Sequence, residues 1–473
     1  MITFKRHIPQ RHKDYKDFLS VLLGLVAKFF TKRRKTLETT NVKQEKEIMY
    51  QFENSLELAK QMDNEDPLKS FRGQFYIPII HAKESIYFTG NSLGLQPKTA
   101  QEYILNDLED WANYGVEGHF HGRNPWVRYH ELFPEKLAPI LGALEEEITV
   151  MNQLTINLHL LLTTFYRPTK DRYKIICEAK AFPSDQYALE SQVLLAGLEP
   201  ATAIIEINPR DGEYTIRNED ILASIKEHNN ELMLVIIGGV NYYTGQVFDM
   251  KAITSAAHEA RAYCGFDLAH AVGNIELKLH DWNVDFACWC SYKYLNSGPG
   301  SVAGAFIHQH HIANKTLPRL AGWCGTNKEK RFKMEKEFDP IPSAEGWQLS
   351  TPPLLNMSAH RASLDIFEEA GFENILAKQK KLSAYLLFIL DEINSSSSKK
   401  MIEIITPRNE NEHGCQVSLL MLEKGKEIFE SLKRNSVILD WREPNVIRVA
   451  PAPLYNTFED IYRFGNIIKS ILQ

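Results

Sequence analysis

The sequence predicts an α/β fold, in which a large domain with a mostly parallel sheet flanked by helices precedes a smaller α+β domain. Strand-like and helix-like segments alternate from about residue 140 to 310, and the strand-like segments are strongly apolar. Past about residue 345 this alternation stops. The 473 residues, 44% of them apolar, are enough for two domains.

The alternating region starts with Tyr173–Ala179, which has the composition of a buried strand. Ser184 is the predicted N-cap of a helix over Asp185–Ala196, which ends at Gly197. Ligands of such sheets bind at the carboxyl ends of the strands, so the polar residues that close the apolar runs are site candidates. The later predicted elements are strands Leu232–Gly238, Cys264–Leu268, Phe286–Ser291 and Val302–His308 and helix Met250–Tyr263.

The C-terminal part reads as a separate unit. A predicted helix over Ser358–Glu369 stops at Gly371, and the Ser-rich stretch Asn394–Lys400 is a predicted loop. Two strands, Gln416–Leu422 and Val446–Val449, and a terminal helix complete it. We therefore divide the chain into a basic N-terminal extension (1–45), a large domain with an N-terminal arm (46–344) and a small domain (345–473).

The N-terminal extension has an apolar run, Phe18–Phe30, with basic residues on both sides. The run is shorter than the ~20 residues that a membrane-spanning helix needs. A signal peptide, a basic amphipathic presequence, a membrane-surface segment and an extension without function all remain open. We expect a cytoplasmic protein, with a mitochondrial or membrane-associated location through residues 1–45 as the alternative.

Charge and cysteine content argue against nucleic-acid binding and against a metal site. The net charge of −6 is spread over interspersed acidic and basic residues, so no nucleic-acid-binding surface is expected. The six cysteines are scattered, and several lie in apolar runs, which indicates buried thiols in a reducing compartment. Cys288 and Cys290 flank Trp289 without a second pair at zinc spacing, so no metal site is predicted.

Two strand ends carry a distinctive pair of side chains. Asp267 closes one predicted strand, and Lys293 follows a later one. Chemistry with pyridoxal 5′-phosphate (PLP) needs a lysine amine that bonds to the cofactor aldehyde and a carboxylate that keeps the pyridine nitrogen protonated. Each residue alone would be an ordinary solvated side chain. Together, in this order, they predict a PLP site.

A second segment suits the same site. Met151–Tyr166 reads as a turn that leads into an apolar helix, with Thr155 near the first turn. A helix N-terminus with a hydroxyl beside it binds phosphate, although Thr155 could equally be only an N-cap. Phe182 at another strand end could stack on the cofactor ring or belong to the core.

An ordered set of motifs resembles the kynureninase family of fold-type I PLP enzymes, which are related to aminotransferases. The resemblance covers the chain from about residue 50 to the C-terminus. The motifs are GNSLGLQP (Gly90–Pro97), FPSD (Phe182–Asp185), YYTGQ (Tyr242–Gln246), FDLAHAVGN (Phe266–Asn274), SYKYLN (Ser291–Asn296) and VAPAPLYN (Val449–Asn456).

The resemblance implies roles for individual residues. Lys293 would form the Schiff base, Asp267 would hold the pyridine nitrogen, and Phe182 would stack on the ring. Leu154, Thr155 and Tyr243 match phosphate-binding positions. The further cofactor-binding positions are Pro183, Ser184, Asp185, His270 and Tyr292, together with Trp323 and Thr351, which the family supplies from the partner subunit of a homodimer.

The implied reaction is hydrolytic cleavage of the Cβ–Cγ bond of L-kynurenine or 3-hydroxy-L-kynurenine, as in tryptophan catabolism toward NAD. Its products are alanine and anthranilate or 3-hydroxyanthranilate. Arg448 would bind the substrate α-carboxylate, and His119 and Ser350 match other substrate-binding positions. Lys293 would act as general base, and we hypothesise that Tyr243 donates to the γ-oxygen.

The sequence departs from the family at two site positions. Gly238 stands where a phosphate-binding Ser is usual in the animal members, and Thr351 stands where those members usually have Asn. Because the second position and His119 help to discriminate between the two kynurenines, the preferred substrate stays open.

Two other functions remain as alternatives. A cysteine desulfurase of the same fold would need an exposed, mobile cysteine, for which Cys415 is the candidate. A catalytically silent PLP-fold protein would have no reason to keep both Lys293 and Asp267.

Overall fold

The computed structural model describes residues 51–314, 316–397 and 399–472. The chain divides into residues 1–52 and one compact unit of residues 53–473. The predictions made for residues 1–45 therefore lie outside the described residues. Among the helices of the described ranges, none combines the length and the apolar content needed to cross a lipid bilayer.

The described residues contain a large central sheet, a smaller sheet and two strand pairs. The central sheet has seven strands in the order β4-β10-β9-β8-β7-β5-β6. Its pairings are parallel except that β10 runs antiparallel to both of its neighbours, so the sheet is mostly parallel as predicted. The strands are β1 (Ile79–Ile80), β2 (Lys83–Glu84), β3 (Ile86–Tyr87), β4 (Ile148–Val150), β5 (Lys174–Glu178), β6 (Ile204–Ile207), β7 (Leu232–Gly238), β8 (Tyr263–Asp267), β9 (Phe286–Trp289), β10 (Gly304–Ile307), β11 (Ile402–Ile404), β12 (Val417–Met421), β13 (Val437–Ile438), β14 (Asp440–Arg442) and β15 (Val446–Val449).

The described helices cover both faces of this sheet and dominate the C-terminal part. They are α1 (Leu56–Glu65), α2 (Ala100–Tyr114), α3 (Gly118–His121), α4 (Pro134–Leu141), α5 (Leu154–Phe165), α6 (Pro183–Leu195), α7 (Pro200–Ala203), α8 (Asn218–Glu227), α9 (Met250–Glu259), α10 (Gln309–Ile312), α11 (Leu354–Ala370), α12 (Phe372–Ser396), α13 (Gly425–Arg434) and α14 (Phe458–Leu472).

Three predicted boundaries were wrong for identifiable reasons. Helix α6 begins at Pro183 with Phe182 as N-cap, so Ser184 is not the cap; proline fits the first helical turn because its missing N–H would be unpaired there. Helix α9 ends at Glu259, and Tyr263 already belongs to β8. Helix α12, which the sequence reading missed, runs to Ser396 into the predicted loop.

The smaller sheet is antiparallel in the order β11-β12-β15-β14. Strand β13 lies outside it and pairs in parallel with β3. Strand β3 comes from the N-terminal arm, so the arm contributes to the C-terminal part of the fold. The domain boundary at residues 344/345 stays a prediction.

The central strands are buried on both faces. In β7 the residues Leu232, Leu234, Val235 and Ile237 are at most 1% exposed. Side chains of the two faces belong to two separate core clusters. With both faces packed, the carboxyl ends of the strands are the place where polar side chains of the sheet can meet a ligand.

Candidate active site

Four chain segments converge at the carboxyl ends of the central strands. Strands β5, β7 and β8 are neighbours that end at Glu178, Gly238 and Asp267, and Lys293 follows β9 after three residues. They border a cavity of about 190 Å³. Its lining residues are Leu154, Thr155, Glu178, Phe182, Ser184, Asp185, Gly238, Val240, Tyr242, Asp267, Ala269, His270, Tyr292 and Lys293.

Lys293 is held beside a neutral imidazole. Its Nζ lies 3.0 Å from Nε2 of His270 and 6.0 Å from the ring centroid of Phe182. Burial, reinforced by the positive charges of Lys293 and Arg448, lowers the pKa of His270 well below its usual value. The uncharged ring can therefore accept a hydrogen bond from the Lys293 amine.

Asp267 and Asp185 form a buried carboxyl pair at the cavity. Oδ1 of Asp267 accepts the N–H of Ala269 at 2.7 Å. Burial raises the pKa of both carboxyl groups, and the hydrogen bond between them together with the negative charge of Asp267 raises the pKa of Asp185 further. Because the pKa of Asp185 is raised well above its usual value, Asp185 is the member of the pair that favours the protonated form, which suits Asp267 as an acceptor for a cationic N–H.

Glu178 is the ionisable residue of the cavity lining that sequence reasoning missed, beside Val240, Tyr242 and Ala269. Both of its carboxyl oxygens accept the N–H of Gly238, at 3.0 and 3.2 Å. Burial and the nearby Asp267 raise the pKa of Glu178 to about 7. The signal was available, because Glu178 is the polar residue near the end of the apolar run Tyr173–Ala179.

The N-terminus of α5 opens onto the same cavity. Leu154 is its first residue, Thr155 lies within its first turn, and the N-cap is Gln153, which forms no side-chain cap. Thr155 is therefore not the N-cap. The first N–H groups of a helix lack intrahelical partners and attract anions, so this end suits a phosphate group.

Arg448 lies next to the cavity without being one of its walls. It is 1% exposed, forms an ion pair with Asp440, and donates from Nη1 to the carbonyl oxygen of Tyr242 at 2.7 Å. Its Nε is buried without a hydrogen-bond partner in the described part of the chain. A free N–H on a fixed guanidinium suits a carboxylate ligand.

Besides Arg448, six predicted site residues do not line the cavity. Tyr242 takes the wall position expected of Tyr243, and Pro183 is exposed at the start of α6. His119 packs against Trp126 with a ring centroid distance of 5.4 Å. Trp323 is 45% exposed, and Ser350 and Thr351 are also exposed. The roles of all six stay predictions.

The candidate cysteine of a desulfurase is buried. Cys415 is 0% exposed, and burial raises the pKa of its thiol. The other five cysteines are also buried and unpaired. A protonated thiol inside the core cannot act as a mobile nucleophile.

These side chains fit PLP. The cavity offers a lysine amine, a buried carboxylate, an aromatic ring and a helix N-terminus, which are the partners that an aldehyde, a pyridinium, a flat ring and a phosphate require. The Lys293 amine, an anion-binding helix end and several carboxyl groups therefore surround one cavity.

Comparison of the sequence with known proteins finds close relatives. The family model described as "Kynureninase C-terminal domain" matches residues 375–468. The kynureninase of Flavobacterium psychrophilum is 56% identical over 418 residues, which are 88% of this chain and 98% of that protein. The kynureninase of Homo sapiens is 45% identical over 431 residues, covering 88% of this chain and 92% of the human protein.

Solved structures share the fold at low identity. A cysteine desulfurase from Thermococcus onnurineus has a TM-score of 0.67 at 18% identity, covering 82% of this chain and 94% of that one. A cystine C–S lyase in complex with cysteine persulfide has a TM-score of 0.68 at 15% identity, covering 81% and 97%. At these identities the likeness concerns the fold.

Proposed function

The chain belongs to the kynureninase family, and we propose that it hydrolyses the Cβ–Cγ bond of L-kynurenine or 3-hydroxy-L-kynurenine with PLP as cofactor. Alanine and anthranilate or 3-hydroxyanthranilate are the products, as in tryptophan catabolism by the kynurenine pathway. The observation that carries the proposal is that Lys293 and Asp267 line one cavity. The fold is that of the fold-type I PLP enzymes.

Residues of four elements would hold the cofactor. Lys293 is the attachment point for the aldehyde, Asp267 the partner of the ring nitrogen, and Phe182 the ring that packs on the pyridine. The N-terminus of α5, at Leu154 and Thr155, would bind the phosphate. When bound, the cofactor supplies an electron-poor ring that takes up the electron pair released at the substrate α-carbon.

Lys293 is the proposed general base. Once the substrate amine has replaced Lys293 at the cofactor aldehyde, the freed Lys293 amine would remove the α-proton of the substrate. The neutral His270, 3.0 Å away, would orient that amine by accepting a hydrogen bond from it. Asp267 would act as the acceptor, since the raised pKa of Asp185 favours the proton on Asp185. A water would then add to the γ-carbonyl. When the Cβ–Cγ bond breaks, the γ-carbon would leave as the carboxyl group of the aromatic product, and the β-carbon would keep the electron pair, take up a proton and become the methyl group of alanine.

Arg448 is the proposed carboxylate-binding residue. Its guanidinium is fixed by Asp440 and by the carbonyl oxygen of Tyr242, which leaves Nε as a free donor. By the resemblance, the substrate α-carboxylate would accept a hydrogen bond from this guanidinium.

A homodimer is part of the proposal. Trp323, Phe332 and Met334 are 45%, 60% and 79% exposed, and such large apolar side chains favour an interface. By resemblance, Trp323 and Thr351 belong to the site of the second subunit. A cytoplasmic location also stays a prediction, based on the six unpaired cysteines.

The test is direct incubation with both kynurenines. The purified protein with PLP should release anthranilate or 3-hydroxyanthranilate and alanine, Lys293→Ala should release neither, and Cys415→Ser should stay active. The relative rates identify the preferred substrate. If the wild-type protein binds PLP, with a visible absorption band that borohydride abolishes, but cleaves neither substrate, the silent-protein alternative holds instead.

A further inference from the structure

Glu178 is a buried acid at the cavity that the proposed reaction does not use. Its side chain forms no ion pair among the described residues, although Lys293 lines the same cavity. The charged groups that face it from other elements are acids, Asp267 at the end of β8 and Asp185 in α6. A buried carboxylate surrounded in this way lacks a counter-charge, which favours its neutral form.

Gly238 is the residue against which Glu178 packs. A Cβ built on Gly238 would lie 2.9 Å from Oε1 of Glu178, closer than two such atoms can approach. The glutamate oxygen therefore occupies the space in which a side chain of residue 238 would begin. It also accepts the Gly238 N–H, which consequently cannot donate to a ligand at the same time.

Glu178 is then the group beside Gly238 that can still donate a hydrogen bond to a ligand. By the resemblance described above, the animal members of the family usually carry at position 238 a serine that binds the cofactor phosphate. Here the hydroxyl is missing and the backbone N–H is engaged. Both Glu178 oxygens lie within hydrogen-bond distance of the Gly238 N–H, and Glu178 lines the cavity. In a neutral carboxyl group one oxygen is enough to accept this N–H, and the other carries a proton that it can donate.

We propose that Glu178 binds the cofactor as a neutral carboxylic acid and donates its O–H to an anionic oxygen of PLP in place of the missing serine. The oxygen is either on the phosphate or on position 3 of the ring, since both are hydrogen-bond acceptors. This inference rests on the proposed use of PLP but adds a binding residue to it.

The charge balance of the cavity agrees with a neutral glutamate. An ionised Glu178 would lie close to the ionised Asp267 and to the anionic cofactor, so its charge would repel both. Burial and Asp267 raise the pKa of Glu178 to about 7, which keeps a large protonated fraction near neutral pH. Cofactor affinity should then fall as the pH rises through this value.

The experiment measures PLP binding by equilibrium titration at a series of pH values, without substrate. Wild-type protein should lose affinity by up to about tenfold for each pH unit above neutrality, because the proton is a co-ligand. Glu178→Gln keeps an acceptor for the Gly238 N–H and adds a permanent N–H donor. The part of the pH dependence of PLP affinity that comes from deprotonation of Glu178 should therefore disappear in this variant. The control is Glu206→Gln, an exposed glutamate on the adjacent strand β6, which should retain the wild-type profile.

A second variant covers the case that Glu178→Gln does not fold. Gly238→Ser restores a hydroxyl and displaces the glutamate oxygen, and it should flatten the pH profile in the same way. Titration with pyridoxal identifies the acceptor, because a pH contribution that vanishes without the phosphate assigns the phosphate and one that persists assigns the ring oxygen. If the variants keep the wild-type profile, or bind PLP more weakly at every pH, Glu178 is not a neutral donor.

The same data separate this inference from the proposed function. Kynurenine cleavage by a protein whose Glu178→Gln variant keeps the wild-type binding profile overturns the inference alone. A protein that binds PLP with the expected pH profile but cleaves no kynurenine overturns the proposed function alone.

Discussion

Nζ of Lys293 lies 3.0 Å from Nε2 of His270, and the imidazole is kept neutral by burial and by the cations around it. The neutral ring can accept a hydrogen bond but cannot add a second positive charge to the site. This relationship links the strand end at Asp267 with the segment that follows β9, and it makes the position of the Lys293 amine sensitive to His270.

Replacement of His270 by Gln should lower kcat by at least tenfold. The amide places its acceptor differently, so the amine that removes the α-proton is less well oriented. Steady-state kinetics with kynurenine measure the effect, and His310→Gln, an exposed histidine outside the cavity, is the matched control. Wild-type kcat in the His270 variant would contradict the orienting role.

Asp267→Asn should retain PLP binding but lower kcat/KM by about a hundredfold or more, because an amide does not stabilise a protonated ring nitrogen. Asp185→Asn should cost less, since it still can donate to Asp267. Absorption spectra of both variants with PLP check that the cofactor is present. Equal losses in the two variants would mean that the pair acts as a unit.

Arg448→Lys should mainly raise KM for kynurenine. An ammonium cannot reproduce the fork that Asp440 and the Tyr242 carbonyl oxygen hold in place, and a hydrogen bond to a charged group contributes about 1.5–3 kcal/mol. Loss of that free energy corresponds to a fall in kcat/KM of roughly tenfold to a hundredfold. Asp440→Asn should shift KM in the same direction, and an unchanged KM in both variants would exclude Arg448 from carboxylate binding.

The hypothesis that Tyr243 donates to the γ-oxygen predicts that Tyr243→Phe lowers kcat by about tenfold or more. The matched variant is Tyr292→Phe, because Tyr292 lines the cavity with its ring centroid 5.9 Å from Nζ of Lys293, whereas Tyr243 does not line it. Both are assayed with each kynurenine. Full turnover by Tyr243→Phe would remove the role of Tyr243, and a loss confined to Tyr292→Phe would transfer it.

Stability should decline in acid through Glu345. Although burial opposes ionisation, hydrogen bonds from His130 and Lys328 lower the pKa of Glu345 to about 2. Because the folded-state pKa lies below the ordinary value of 4.5, the stabilisation is complete above that value and is lost as the pH falls toward 2. The shift corresponds to about 3 kcal/mol.

Urea unfolding at neutral and acidic pH measures this contribution. Glu345→Gln should be less stable than wild type at neutral pH and should show a smaller loss on acidification. Glu219→Gln, which removes a carboxylate from a largely exposed ion pair with Arg210, should change stability by less than about 1 kcal/mol. Parallel pH profiles of wild type and Glu345→Gln would contradict the assignment.

The sequence by itself determined the class of fold and the two central residues of the site, Asp267 and Lys293. The apolar runs over Leu232–Gly238 and Val446–Val449 are strands with those same bounds, because a strand buried on both faces needs an uninterrupted apolar run. Asp267 and Lys293 could be assigned to one sheet edge because the ends of parallel strands meet there. Boundaries such as Ser184 and Tyr263 failed, since caps depend on a few local hydrogen bonds that composition does not reveal.

Only the tertiary structure decided which side chains share the cavity. Glu178 and Gly238 are 60 residues apart in the chain and touch because β5 and β7 are neighbouring parallel strands of one sheet. The choice of Tyr242 over Tyr243 as a wall follows from which of two successive side chains faces the cavity. The pairing of β3 with β13 joins residues from the two ends of the chain. Such contacts depend on the relative placement of distant segments, which local sequence patterns do not encode.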